Sequence, residues 1–248
     1  MVYFVGAGPG AKDLITVRGM KLLKRADLVI YAGSLVNPEL LEYCPEGCRK
    51  VNSASLTLEE VISLIGACGP EKTVVRLHTG DPSIYGAIRE QMDALEDLGI
   101  GYEAVPGVSS LCAAAAALNA EYTLPGVSQS VIVSRRAGRT QVPEKEDIPS
   151  LAAHGASMVL FLSAGMLGEL CAELIRGGYG EDTPAAVVYK ASWPDEKIVK
   201  STLGQLPEAA KDIKKTALVL VGDFLDGTKE RSRLYDPSFS HGFREASK

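Results

Sequence analysis

The chain has 248 residues, 46% of them hydrophobic and 23% charged, and a formal net charge of −5. At roughly 150 residues per domain this predicts one large or two modest domains, with enough apolar sequence for buried cores. The mildly acidic balance argues against a general nucleic-acid binder, which needs a broad basic surface. It leaves room for a local basic pocket facing an anionic small molecule.

The amino terminus, Met1–Val5, lacks a basic region, and its apolar stretch is too short for a signal peptide. No run of about 18 apolar residues is present, so no transmembrane helix is expected and the location expected is cytoplasmic. The cysteines Cys44, Cys48, Cys68, Cys112 and Cys171 contain no C-x-x-C pair. They read as small thiols of a reducing compartment, and with no His or Cys near Cys44 and Cys48 no metal is expected.

In chain order, Val2–Val5 predicts a strand, and Ile15–Arg25 a helix carrying Val17, Met20 and Leu22 or Leu23 on one side. Leu28–Tyr31 predicts a second strand. Leu58–Ile65 predicts a helix, with Thr57 as N-cap and Glu60 completing a capping box. Thr73–Leu77, Ala87–Leu98 and Tyr102–Val105 follow as strand, helix and strand. Beyond the turn Val105–Ser110 come an alanine-rich helix, Leu111–Leu118, and strands at Val131–Ser134, Met158–Leu162, Ala185–Tyr189, Ile198–Ser201 and Ala217–Val221. Helices are expected at Leu167–Ile175 and Leu206–Ala210. Apolar strands flanked by helices give an α/β class. The expected organisation is an amino-terminal α/β domain over 1–105, a second over 106–227, and a polar tail over 228–248 that frays.

Val5–Leu14 opens a helix after a strand and fits G-x-G-x-x-A through Gly6, Gly8 and Ala11. A dinucleotide site would also need an acid at the end of the second strand to hold a ribose. That strand ends in Tyr31-Ala32-Gly33, and Asp27 precedes it. Pro9 removes an N–H from a loop that would have to donate to a pyrophosphate. A second glycine turn, Thr79–Pro82, and a third, Val105–Ser110, also follow strands, so all three can border one cleft. Asp81 between Gly80 and Pro82 would accept from ribose hydroxyls or an amino group and repel a phosphate. The alternative reading is a helix N-cap or turn acid before Ile84–Glu90.

Taken together these motifs resemble the tetrapyrrole methylase family, the class III S-adenosylmethionine-dependent methyltransferases. The match runs through Val5–Thr16, Gly80–Gly86 and Val105–Ser110, in order, over nearly the whole chain to about Asp226. Arg76–Met92, Asn52–Glu60 and Ser134–Glu146 are similar to the branch acting on precorrin-4 at C-11, cobalt form included. The uroporphyrinogen branch carries an acid and a Lys where Ala32 and Ser53 stand here. The resemblance implies two α/β domains with the cofactor in a cleft between them, S-adenosyl-L-methionine as donor and S-adenosyl-L-homocysteine as product, an anionic tetrapyrrole acceptor, and a homodimer. Carried over residue by residue, it implies cofactor contacts at Pro9, Thr79, Gly80, Asp81, Ile84, Ser109 and Ser110, and at Ser163, Ala191, Thr216 and Ala217.

The acceptor's carboxylates call for clustered cations, and Arg135, Arg136 and Arg139 in the loop Ser134–Thr140 are the candidates. His78 reads as a catalytic base or a structural histidine, Trp193 as a cover for the macrocycle or a packing or dimer residue, and Tyr85 as a cleft wall or a packing residue. His154 and His241 read as surface residues. No nucleophile–base set stands out, as expected for methyl transfer to carbon, whose main demand is alignment. The rival readings are methylation at C-20 or C-17 or of another substrate such as diphthine, a dinucleotide-dependent oxidoreductase, and a non-enzymatic tetrapyrrole carrier. The pair His78-Thr79 and the arginine loop favour C-11.

Overall fold

A computed structural model describes residues 1–228, 230 and 232–246. Its chain forms two compact units, Met1–Ala114 with Lys190–Glu196, and Ala115–Tyr189 with Lys197–Lys248. In the first, Val2–Gly6 (β1), Leu28–Tyr31 (β2), Arg49–Asn52 (β3), Val74–His78 (β4) and Tyr102–Val105 (β5) form a sheet of order β3-β2-β4-β1-β5. Every pairing is parallel, so each strand must be followed by a crossover. Helices Val17–Leu23 (α1), Leu58–Gly66 (α2) and Arg89–Asp97 (α3) lie in three of these connections.

Strand alternation decides which face each helix covers. Val5, Val29, Val75 and Leu77 share a core with Leu22 and Leu23 of α1. Phe4, Leu28, Ile30 and Val74 share the other with Val61 and Ile65 of α2 and Leu95 of α3. Phe4, Leu95 and Val75 are wholly buried, and burying such side chains stabilises by about 1.5–3 kcal/mol each. The start of α2 is a capping box, in which Thr57 Oγ accepts from Glu60 N and Thr57 N donates to Glu60 Oε2.

The second unit holds Val131–Arg135 (β6), Ser157–Phe161 (β7), Pro184–Tyr189 (β8), Lys197–Thr202 (β9) and Ala217–Val221 (β10), in the order β6-β7-β10-β8-β9. Only β6 and β7 run parallel; the other three pairings are antiparallel. Ile148–Ala152 (α5), Leu167–Arg176 (α6) and Leu206–Ala209 (α7) pack on one face around Met158, Leu160, Val187 and Val219.

The sheets fall on either side of Pro106. The division between units comes later, inside helix Ser110–Leu118 (α4), because the turn feeding α4 packs against the first sheet's own turns. Within the tail, Arg233–Tyr235 makes a 3-10 turn and His241 pairs with Arg244. Among the described residues no helix is long and apolar enough to cross a membrane.

Candidate active site

Three turns leave the carboxyl ends of β1, β4 and β5, which are neighbours in the sheet. Gly8 and Gly80 exchange backbone hydrogen bonds, Gly8 N to Gly80 O at 3.2 Å and Gly80 N to Gly8 O at 2.8 Å. Both glycines sit at positive φ, +80° and +60°, where a side chain is strained. The third turn joins through Gly107. A Cβ on Gly6 would lie 2.5 Å from Gly107 Cα and 2.6 Å from Gly80 O. The three backbones meet with no room for a side chain.

Asp81 locks the arrangement. Its Oδ2 accepts from Gly107 N at 2.8 Å, and its Oδ1 accepts from Ser83 N at 2.8 Å and Ser83 Oγ at 2.5 Å. Burial alone would raise the carboxyl's pKa, but the hydrogen bonds from Ser83 and Gly107 outweigh it and hold it below the ordinary Asp value. The acid between Gly80 and Pro82 thus ties the second turn to the third. Gly86 closes the motif, since a Cβ there would stand 2.9 Å from Pro82 C.

The glycine loop is unsuited to a pyrophosphate. Ala7 N donates to His78 O at 2.7 Å, Gly8 N to Gly80 O and Ala11 N to Ser192 Oγ at 3.0 Å, and Pro9 has no N–H. Those donors of a phosphate cradle are already engaged. Trp193 Nε1 donates to Pro9 O at 2.9 Å, and its ring lies so close that a Cβ on Gly10 would be 2.8 Å from Trp193 Cγ. Trp193 is therefore a packing residue of the first loop. Ala191 is buried in the same short segment, between Lys190 and Ser192 at φ +47° and +69°.

Pro9, Thr79, Gly80, Asp81, Ile84, Ser109 and Ser110 all belong to this unit, on the three turns or directly beyond them. Thr79 Oγ donates to Leu35 O at 2.8 Å, and Ser109 O accepts the first bonds of α4. Beside them His78, Thr79, Ile84 and Tyr85 line a cavity of about 280 Å³. Ala32 and Ser53 lie on its wall too.

His78 is buried. Burial first, and the charge of Arg76 second, push its pKa down to about 3. It is a neutral imidazole and a poor proton acceptor. Sequence reasoning passed over Arg76, although an arginine inside a strand buried on both faces is a signal in itself.

In the second unit, Ser163 is fully buried, donating to Phe161 O at 2.7 Å and accepting from Arg136 N at 2.9 Å. Leu162 beside it is 70% exposed at φ +54°. Thr216, at φ +54°, directly precedes β10, and Ala217 is its first residue. The three arginines separate. Arg136 is bound bidentately by Glu173, at 2.9 and 2.8 Å. Arg135 holds its own loop through the carbonyls of Thr140 and Gln141, at 3.1 and 2.7 Å. Arg139 is exposed and makes no hydrogen bond or ion pair among the described residues. The expected three-arginine cluster thus leaves one side chain uncommitted. His154 is exposed, and His241 Nδ1 accepts from Phe243 N at 3.3 Å.

Three glycine turns meeting at adjacent strand ends of a parallel sheet mark an α/β protein whose candidate site lies at the carboxyl edge, where open α/β sheets take their ligands. The chain belongs to the tetrapyrrole (corrin/porphyrin) methylases, whose family model matches residues 1–207. It is 53% identical to a cobalt-precorrin-4 C(11)-methyltransferase of Methanocaldococcus jannaschii, covering 100% of this chain and 97% of that protein. It is 44% identical to a precorrin-4 C(11)-methyltransferase of Sinorhizobium sp, over 98% of each. Its fold matches the X-ray structure of a cobalamin biosynthetic enzyme, cobalt-precorrin-4 methyltransferase, with TM-score 0.89 and 48% identity, over 91% of this chain and 95% of the other. A uroporphyrin-III C-methyltransferase from Thermus thermophilus, complexed with S-adenosylhomocysteine, matches with TM-score 0.77 and 28% identity, over 93% and 95%.

Proposed function

We propose that this protein is an S-adenosylmethionine-dependent C-methyltransferase of cobalamin biosynthesis, acting at C-11 of precorrin-4 or its cobalt form. The observation that carries this is the full-length likeness to relatives bearing those names, joined to a glycine-turn site that suits a phosphate-free nucleoside. We assign the cofactor to Pro9, Thr79, Gly80, Asp81, Ile84, Ser109 and Ser110. Ser163, Ala191, Thr216 and Ala217 enter as family carry-overs. When bound, the cofactor supplies an electrophilic methyl group on a positively charged sulfur.

The chain's own part is positioning. The packing of Gly6, Gly80 and Gly107 fixes backbone surfaces against which a nucleoside can lie. Asp81 holds two of the turns together and adds a negative charge beside a cationic ligand. Alignment of reacting atoms at about 3–3.5 Å, with water excluded, is what methyl transfer to an electron-rich ring carbon requires. Arg139 is assigned to an acceptor carboxylate, while Arg135 and Arg136 shape its loop. A homodimer belongs to the same proposal and is checked by light scattering in solution. The deciding experiment is incubation with methyl-labelled S-adenosylmethionine and precorrin-4, with and without cobalt, followed by locating the label. Label at C-11 is expected; label at another carbon, or none with either acceptor, overturns the assignment.

A further inference from the structure

Arg76 and His78 stand two residues apart on β4 and so project from the same face, the one covered by α2 and α3. Arg76 is 8% exposed and His78 5%. Arg76 Nε donates to Gln91 Oε1 at 3.0 Å and Nη1 to Ile30 O at 3.1 Å. Both acceptors are neutral. Among the described residues no carboxylate forms an ion pair with this guanidinium. Burial lowers its pKa to about 10, which leaves it charged at neutral pH. His78 Nε2 is buried without a hydrogen-bond partner.

A core seldom keeps an uncompensated cation, or an unpaired ring nitrogen, without a use for it. Both side chains line the cavity of about 280 Å³. The start of α2 at Leu58 forms another part of its wall, with the positive end of a helix dipole. Glu90, the one acid on that wall among the described residues, is solvent-exposed. The volume lies just below the roughly 300–1,000 Å³ of sites that take a whole drug-sized ligand. It suits one side arm of a larger molecule.

We propose that this cavity is a carboxylate subsite, in which Arg76 pairs with a carboxylate of the bound ligand and His78 hydrogen-bonds to it. The inference rests on the methylation reading above, under which two molecules carry such a group: the tetrapyrrole, on its acidic side arms, and the cofactor, on its amino-acid tail. A carboxylate supplies what the site lacks, a negative charge for the guanidinium and an acceptor for an imidazole N–H.

The test uses Arg76→Met and Arg76→Lys in the full chain. Uroporphyrin III, an octacarboxylic porphyrin, is titrated by absorbance with its octamethyl ester as the charge-free control; S-adenosylhomocysteine is titrated by calorimetry; melting temperatures are recorded throughout. Removing one partner of a buried charge pair should weaken the affected ligand by roughly 30-fold or more. A loss confined to the porphyrin acid places its side arm in the cavity, and a loss confined to S-adenosylhomocysteine places the amino-acid tail there. Arg76→Met should melt at or above the wild-type temperature, since it removes an unpaired buried charge, and Arg76→Lys should recover part of the binding. The proposal is overturned if Arg76→Met binds both ligands as the wild type does, or if Arg76→Met and Arg76→Lys both melt several degrees lower and lose both ligands together, which marks Arg76 as structural. A wild-type chain that binds both ligands but methylates neither form of precorrin-4 sinks the methylation reading and leaves the subsite standing. A wild-type chain that binds neither sinks both.

Discussion

Replacing Gly107 by Ala tests whether the three turns form one rigid unit. Gly107 is not at positive φ, so Ala meets no conformational penalty there, only a steric one. Its Cβ would fall inside contact distance of Gly80 O and 2.7 Å from Gly6 Cα. Both obstacles are backbone, so no side chain can rotate out of the way. Overpacking costs about 1–3 kcal/mol, and fixed backbone places this case in the upper half, about 2–3 kcal/mol. At roughly 2–4 °C per kcal/mol for chains of this size, the melting temperature should fall by about 4–12 °C. Prising Gly107 from Gly80 also lengthens the Asp81–Gly107 bond, so S-adenosylhomocysteine affinity measured by calorimetry should drop at least about tenfold. Gly66→Ala is the control: it ends α2 with nothing within 4 Å of its Cβ and no positive φ. It should gain about 0.5–1 kcal/mol. A Gly107→Ala protein that melts and binds like the wild type would refute the convergence of the turns as the basis of the site.

Asp81→Asn should loosen the same junction, because an amide presents a donor where Gly107 N or Ser83 N also donates. Cofactor affinity should fall, and the loss of stability below pH 4 should flatten relative to the wild type. The sign follows from a folded carboxyl held below its unfolded value: its contribution is present above about 3.8 and lost as pH falls through the folded value. His78 behaves alike for another reason. The unfolded chain takes up a proton near 6.5 and the folded chain near 3, so stability should decline from about pH 6.5 downward. The slope reaches at most about 1.4 kcal/mol per pH unit from this group. Denaturant melts at several pH values should show that slope reduced in His78→Gln, and an unchanged slope refutes the buried neutral imidazole. Arg136→Ala should lower the melting temperature with little change in KM for the tetrapyrrole, since its guanidinium is held by Glu173. Arg139→Ala should do the reverse, and a swap of these outcomes would exchange the two roles.

The first sheet was largely readable because its strands are short apolar runs set off by turn chemistry. β2 and β5 lie where the pattern places them, and the Thr57–Glu60 capping box forms as expected. β3 escaped because Arg49, Lys50 and Asn52 on an edge strand are exposed and carry no apolar alternation. Ile148–Ala152 was missed for its brevity. The antiparallel pairings of the second sheet could not be read from runs such as Ala217–Val221, buried along both faces much as parallel strands are. At the site, the three glycine turns pointed to one shared cleft border, with Asp81 read as a ligand acceptor or a turn acid. Which partner each donor took depended on register between strands far apart in sequence, as with Gly8 and Gly80. The arginine loop depends on the fold in the same way: Arg136 meets Glu173 on a later helix, Arg135 meets carbonyls of its own loop, and Arg139 has no such partner among the described residues.

The excursion Lys190–Glu196 leaves the hairpin between β8 and β9 to put Trp193 beside Pro9. The first unit is therefore not one uninterrupted stretch of the gene. A fragment ending at Ala114 would lose the indole that seals its glycine loop and bare the Pro9 carbonyl to solvent. Dissection into halves, or grafting the amino-terminal part onto a foreign partner, would have to bring this seven-residue patch along by other means.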